Sequence, residues 1–369
     1  MKARLDSVIK SLSVANAAIK NTASPVEKEG WFPTFSASGQ DVWLPEYRFD
    51  LSGIVVSAVG ARCGKAFKAD GKWNVCANTH ALSVDESIAD RDYCWYMLNN
   101  ESWWVKGGTA QPFVKVKDSL KREHFFPTLS DQRKIVKQLD QINRVLELRR
   151  EEIAFLDDLI KARFVEMFGD CRLNPKGWNT VALGDIAEVG SSKRVFVEEL
   201  KETGIPFYRG TEVGAFAEGK TVIPELFITE EHYIELIKAS GKPEPGDLLM
   251  PSICPDGRIW VVDTDEPFYF KDGRVLWVHG IDKRFDPVFL LYTLKDRIMT
   301  DYGSIASGTT FAELKIFALK QCQVFDVPIE VQRCFTAFIA QIDKSKVVIQ
   351  KSLDETQLLF DSLMQKYFG

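Results

Sequence analysis

Residues 129–169, LSDQRKIVKQLDQINRVLELRREEIAFLDDLIKARFVEMFG, recur in register as residues 329–369, IEVQRCFTAFIAQIDKSKVVIQKSLDETQLLFDSLMQKYFG, and the organisation of the whole chain follows from that recurrence. Gln132 and Arg133 answer to Gln332 and Arg333, Gln141 and Ile142 to Gln341 and Ile342, Leu159 to Leu359, and Phe168-Gly169 to Phe368-Gly369. In the first copy Ile135, Leu139, Ile142, Leu146, Arg149, Ile153, Leu156 and Ile160 alternate four and three apart, the seam of a heptad repeat broken only by Arg149. The second copy places Phe335, Ile339, Ile342, Lys346, Ile349, Leu353, Thr356 and Phe360 in the same register, with Lys346 and Thr356 as its polar interruptions. Pro127 and Pro328 stand upstream as helix starts, Ser130 reads as an N-cap and Gly169 as a C-terminal stop. About 38 residues at ~1.5 Å rise make each helix roughly 57 Å long, and so narrow an apolar stripe needs a partner. The other copy is the nearest one, and a short path back from the intervening segment makes the pair antiparallel.

Outward from these rods, the chain reads as globule (1–127), rod (128–169), globule (170–327), rod (328–369). The expected fold class is α+β: two mixed, strand-rich globules separated by two long antiparallel coiled-coil helices, with a pseudo-twofold internal repeat. In the second globule, strand-like runs span Asp247 to Met250, Arg258 to Val262 and Arg274 to His279, and one helical stretch runs from Pro287 to Met299. The first globule follows a similar order: runs at Gly53 to Val59 and Trp73 to Val84, then a helical stretch at Asp92 to Trp104. Gly108-Thr109 precedes Gly308-Thr309 by the rods' own offset, whereas Leu5 and Val8 match Leu183 and Ile186 at a shorter one. Globule one is therefore expected to be shorter by about 22 residues in its middle. An amphipathic helix over residues 3–20 (Leu5, Val8, Leu12, Ala15, Ile19) is the alternative for the opening.

With 369 residues, 45% of them hydrophobic and 12% aromatic, the chain can bury a core in each of two or three domains. Apolar runs such as Val288 to Leu291 are far too short to span a bilayer, and Met1-Lys-Ala-Arg-Leu-Asp has no signal-peptide apolar core, so a cytoplasmic, membrane-free protein is expected. Seven cysteines (Cys63, Cys76, Cys94, Cys171, Cys254, Cys322, Cys334) include no CxxC, which points neither to disulfides nor to zinc.

No catalytic constellation emerges. Gly60-Ala-Arg-Cys-Gly64-Lys65 is one residue short of a phosphate loop and has Ala66 where Ser or Thr should meet magnesium. Pro255-Asp256 with the distant Glu313-Leu314-Lys315 imitates a nuclease carboxylate set only loosely, and Asn174-Pro175-Lys176-Gly177 lacks the second proline and aromatic of an amino-methyltransferase site. His80, His124, His232 and His279 show no paired metal spacing, so no metal is expected.

Binding chemistry is better represented. In globule one Arg48, Arg62, Lys65, Lys68 and Lys72 outnumber Asp50 and Asp70, with Asn78 and His80 following; from Lys106 to Glu123 five basic residues face two acidic ones. In globule two Lys193, Arg194, Arg209, Arg258, Lys271 and Arg274 sit near glycine-rich turns. Arg and Asn can hold guanine and adenine through paired hydrogen bonds, and Lys positions against phosphate. Two unlike reading surfaces on a fixed spacer suit a DNA duplex carrying two unlike marks. A net charge of −5 tempers this, because a chain that grips DNA alone is usually basic; the expectation is that partner subunits lend affinity. The alternative is a non-catalytic coiled-coil tether whose globules bind proteins.

At Arg163-Phe-Val-Glu-Met-Phe-Gly-Asp170, Asn174-Pro-Lys-Gly-Trp178 and Leu183-Gly-Asp-Ile-Ala187 the chain resembles the central region of type I restriction-modification specificity subunits. Further matches are Pro127-Thr-Leu-Ser-Asp-Gln-Arg-Lys-Ile-Val136, Pro33-Thr-Phe-Ser-Ala-Ser-Gly39, Val59-Gly-Ala-Arg-Cys-Gly64 and Ile205-Pro-Phe-Tyr-Arg-Gly210. The resemblance implies a non-catalytic DNA-specificity subunit in which each globule is a target recognition domain reading one half of a bipartite sequence in double-stranded DNA. The helices would set the gap and dock two modification (methyltransferase) subunits. S-adenosylmethionine would reside on those subunits, and ATP and Mg on restriction (translocase and nuclease) subunits. By position it implies DNA contacts at Ser36, Ser38, Arg62, Lys65, Asn78, His80, Arg209, Thr211 and Arg258, to which Lys193, basic and near a glycine-rich turn, is added as a candidate. The short opening leads to the further expectation that no N-terminal helix extends the two-rod bundle.

Overall fold

The structure, a computed structural model, describes residues 1–12, 16–308 and 312–369; Ala15 of the alternative opening helix and Thr309 of the second Gly-Thr pair lie outside them. The chain forms two compact units, Met1–Glu151 with Gln350–Gly369, and Glu152–Ile349. Their boundary passes through both long helices, so each unit holds one globule, the first part of one rod and the last part of the other.

In chain order, unit 1 contains β1 (Lys2–Arg4), β2 (Ile9–Leu12), β3 (Phe32–Ser36), β4 (Gly39–Leu44), β5 (Phe49–Asp50), β6 (Gly53–Ser57), β7 (Ala66–Ala69), β8 (Lys72–Val75), β9 (Thr79–Val84), α1 (Arg91–Leu98), β10 (Lys106–Gly107), β11 (Phe113–Val114), α2 (Val116–Ser119), β12 (Glu123–Phe125) and the start of α3 (Leu129–Phe168). One sheet has the order β2-β9-β6-β7 and another β4-β3-β8-β5, with β3 and β8 parallel. The central strand β6, Gly-Ile-Val-Val-Ser, is buried throughout, as its unbroken β-branched run requires. Its alternate side chains serve two cores: Ile54 and Val56 pack with Tyr93, Met97 and Leu98 of α1, while Val55 packs with Phe35 and Trp73 of the other sheet. The opening is β1, a single turn and β2, not a helix; Leu5 and Val8 are buried in the α1 core.

Unit 2 contains β13 (Thr180–Ala182), α4 (Leu183–Ile186), β14 (Glu188–Gly190), β15 (Ile205–Tyr208), α5 (Gly210–Ala217), β16 (Phe227–Ile228), α6 (Glu230–Ser240), β17 (Leu248–Pro251), β18 (Trp260–Val261), β19 (Tyr269–Phe270), β20 (Val275–His279), α7 (Pro287–Ile305), β21 (Ala306–Ser307), β22 (Glu313–Leu314), α8 (Ile316–Lys320), β23 (Gln323–Phe325) and the start of α9 (Ile329–Phe368). Its sheet order β14-β20-β17-β18 repeats β2-β9-β6-β7, and the parallel pair β15–β19 repeats β3–β8. The extra length has a place. Ala37-Ser38 alone joins β3 to β4, whereas residues 209–226 with α5 join β15 to β16, and α6 is a further insertion. Neither α5 nor α6 was expected from the pattern, because both are short and the apolar positions of α5 are interleaved with glycine.

The rods are α3 and α9, 40 residues each. Thr128, not Ser130, caps the first: its hydroxyl accepts from the Asp131 amide at 3.2 Å. Gly169 ends it with φ +85° and an amide bonded to the Val165 carbonyl at 2.9 Å, a left-handed cap that glycine adopts without strain. All sixteen seam positions, Arg149, Lys346 and Thr356 included, are buried or half-buried. In unit 1 Ile135, Val136 and Leu139 pack with Phe360, Leu363, Met364 and Phe368; in unit 2 Ile160, Phe164 and Phe168 pack with Phe335, Ile339 and Ile342. Early residues of one helix meet late residues of the other in both units, so the pairing is antiparallel.

Gln132 and Gln332, noticed only as repeated letters, turn out to be fully buried clamps. The Gln132 Oε1 accepts from the Asp90 amide at 2.8 Å while its Nε2 donates to the carbonyls of Ile88 and Pro127 at 3.1 and 2.9 Å. Gln332 does the same with the Asp286 amide (2.8 Å) and the carbonyls of Arg284 and Val327 (2.9 and 2.6 Å). Asp90 and Asp286 are the N-caps of α1 and α7, so each glutamine ties a rod to the helix of its globule.

Candidate nucleic-acid interface

In unit 1 three connections far apart in sequence meet at one edge. The β3–β4 turn carries Ser36 to Gly39, the β6–β7 connection Arg62 to Lys65, and the β8–β9 turn Asn78. The Cys76 amide donates to the Phe35 carbonyl and the Ala58 amide to the Asn78 carbonyl, both at 2.8 Å. Gly39 lies so close to the Phe67 ring that a Cβ would stand 3.2 Å from it, and the Lys65 ammonium sits 5.9 Å from the centre of the same ring. The Gly60 amide, donating to the Pro112 carbonyl at 2.9 Å, adds the β10–β11 hairpin with Lys106 and Lys115.

Within this edge the anticipated residues differ in role. Ser38, Arg62 and Asn78 are exposed, and Asn78 holds φ +65°, a left-handed turn position that its short amide tolerates. Ser36 is buried and its Oγ accepts from the Ser38 amide at 3.1 Å, so it shapes the turn and does not reach the surface. His80 is half-buried on β9, where burial pushes the imidazole below its ordinary value and keeps it neutral near pH 7. The five-residue basic group does not stay together. Arg48, Lys68 and Lys72 lie away from this edge: Lys68 pairs with Asp92 at 3.1 Å and covers Trp95, Lys72 covers Tyr47, and Arg48 donates to the Asn16 carbonyl.

The corresponding edge of unit 2 is assembled the same way and charged differently. A Cβ on Gly210 would meet the Arg274 carbonyl at 3.3 Å, one on Gly214 would meet the Arg258 guanidinium at 3.0 Å, and the Ser191 hydroxyl donates to the Val275 carbonyl at 2.6 Å. Arg209 is held by Glu212 (2.5 Å) and Glu225 (3.0 Å), and Arg258 by Asp256 (2.8 Å) and Glu218 (3.5 Å). Burial alone would raise Glu212, but hydrogen bonds from the Arg209 side chain and amide overcome it and hold the carboxyl at about 2. Thr211 is exposed yet bonded to Glu212, and Lys193 is exposed with its backbone amide on the Tyr269 hydroxyl. Sequence reading missed the carboxylates that occupy these arginines. The Arg209-Glu212 and Asp256-Arg258 spacings could have signalled two of them; Glu218 and Glu313 reach their partners Arg258 and Arg274 from about 40 residues away. Among the described residues no group of His, Cys, Asp or Glu could hold a metal, and no helix is long and apolar enough to cross a membrane.

Comparison with known proteins places this arrangement. No family model matches the chain. A putative type I restriction enzyme specificity subunit of Haemophilus influenzae is 24% identical over 365 residues, covering 96% of this chain and 90% of the relative. The MjaVIII specificity subunit of Methanocaldococcus jannaschii is 22% identical over 327 residues, 81% of this chain and 74% of the relative. The crystal structure of a type I restriction-modification S subunit from M. genitalium covers 100% of this chain and 96% of its own, with a TM-score of 0.58 at 17% identity. A structure described as showing complex assembly and conformational transition of the type I system gives the same TM-score over 97% of its chain. The chain's curated relatives are therefore type I restriction enzyme specificity subunits, and its fold is the fold of their S subunits.

Proposed function

We propose that this chain is the DNA sequence-specificity subunit of a type I restriction-modification complex, each globule acting as a target recognition domain for one half of a bipartite site. The observation that carries the reading is the gathering of Ser38, Arg62, Lys65 and Asn78 from three separate connections onto one edge of unit 1, with a loop-built edge at the equivalent place in unit 2. Exposed Arg and Asn on adjacent turns are the side chains that discriminate bases in the major groove. A tether that binds proteins has no need for such convergence. On this reading α3 and α9 set the gap and dock two modification subunits. Catalysis belongs to partners: S-adenosylmethionine on the modification subunits, ATP and Mg on the restriction subunits. The test is to map methylated bases in DNA from cells expressing the chain with its modification partner. A split motif of two short blocks is expected; one continuous motif would contradict two separate readers.

A further inference from the structure

The two edges share a plan and differ in what their cations are doing. In unit 1 Arg62, Lys106, Lys115 and Lys117 are exposed, and none of them, nor Lys65, is ion-paired with any described carboxylate. Glu101, whose backbone lies against Gly64, is paired with none of them. In unit 2 every arginine of the matching edge and two of its lysines are engaged: Arg194 with Asp272 (3.1 Å), Lys271 with Asp272 (3.7 Å), Arg209 with Glu212 and Glu225, Arg258 with Asp256 and Glu218, Arg274 with Glu313, and Lys315 with Glu313 (3.7 Å); exposed Lys193 is the exception, ion-paired with no described carboxylate. The substitution behind part of this contrast is visible in the repeat. The Val114 amide donates to the Ala58 carbonyl, as the Leu314 amide does to that of Ser252, which aligns β11 with β22. Phe113 of unit 1 is thus replaced in unit 2 by Glu313, which neutralises Arg274 and Lys315, and exposed Lys117 is replaced by exposed Phe317.

An ion-paired arginine approaching phosphate must first give up its carboxylate, so it releases little net counterion, whereas an unpaired one contributes its full charge. We infer that the two recognition edges divide the work of binding DNA: unit 1 supplies most of the salt-dependent phosphate grip, and unit 2 reads its half-site with arginines that are internally neutralised. This rests on the DNA-reading function proposed above.

The experiment measures how the affinity of the full-length chain for a short mixed-sequence duplex changes with salt, for the wild type and glutamine variants. Arg62→Gln, Lys106→Gln and Lys115→Gln should each lower the log–log salt slope by about one, and the triple variant by about two to three. Arg194→Gln and Arg258→Gln should leave the slope unchanged. Glu313→Gln, which frees Arg274 and Lys315, should raise it by about one to two. Equal losses from unit 1 and unit 2 variants, or none from the unit 1 variants, would overturn the division. If the wild type binds no duplex at low salt, alone or with its modification partner, the DNA-reading function itself fails. Thermal melting checks each fold, and the well-exposed Arg194 keeps the unit 2 arm readable should Arg258→Gln disturb its packing on Gly214.

Discussion

Gln132 and Gln332 show why a repeated letter survives inside otherwise divergent copies. Each amide satisfies one backbone N–H and two carbonyls in a site closed to water, and no other side chain of that size offers one acceptor and two donors in that geometry. Gln332→Leu is therefore expected to cost at least about 2 kcal/mol, since three buried groups lose their partners, and chemical denaturation should report it. A Gln332→Leu variant as stable as the wild type would refute the clamp. Glu212 makes a pH-dependent contribution of definite sign. Its folded carboxyl sits at about 2 against an ordinary value of 4.5, so its stabilisation is full above pH 4.5 and is lost as pH falls toward 2. Hydrogen exchange at the α5 amides should accelerate across that window in the wild type, and Glu212→Gln should flatten the response.

At the scale of elements, the heptad pattern located both rods because a 3.5-residue period survives without knowledge of the partner. What each polar interruption does depends on the opposing helix. Lys346 occupies the position equivalent to buried Leu146, and its ammonium lies 2.5 Å from Asp157 of α3 in unit 2. Burying charge on a seam costs desolvation that a half-exposed partner only partly returns. Lys346→Leu should accordingly leave the melting midpoint unchanged or higher, its loss being in register specificity; a destabilisation above about 1 kcal/mol would show the ion pair to be a net stabiliser. The strands were legible where apolar β-branched and aromatic residues run together, as in β6 and β20. Helix α5 was not, since its apolar positions are interleaved with glycine, and α6 was not, since its buried face rests on Tyr233 and Leu236 alone.

At the scale of the whole molecule, the compact units do not follow the linear order of globule and rod. Unit 1 is completed by residues 350–369, whose Phe360 and Phe368 rings meet Tyr96 and Tyr93 of α1 at 6.4 and 5.0 Å. Deleting those twenty residues should therefore weaken the first globule itself, on the order of 4 kcal/mol for the four half-buried apolar side chains removed, and proteolysis within residues 85–127 should quicken. Unchanged protection there would favour an independent globule. The net charge of −5 bears on the same scale: modification subunits should steepen the salt dependence of DNA binding, and an equally steep slope for the isolated chain would remove the need for borrowed affinity.

The sequence by itself determined the duplication, the register and length of the rods, and which connections carry basic and amide residues. These are properties of spacing along the chain. Only the tertiary structure decided which cations are free. The carboxylates holding Arg194, Arg258 and Arg274 include Asp272, Glu218 and Glu313, each about 40 to 80 residues distant, and folding alone brings them within ion-pair range. Ser36 and Ser38, two residues apart, likewise part ways: Ser36 closes β3 and its buried hydroxyl oxygen accepts the Ser38 amide, while Ser38 lies beyond the strand in the turn and is exposed.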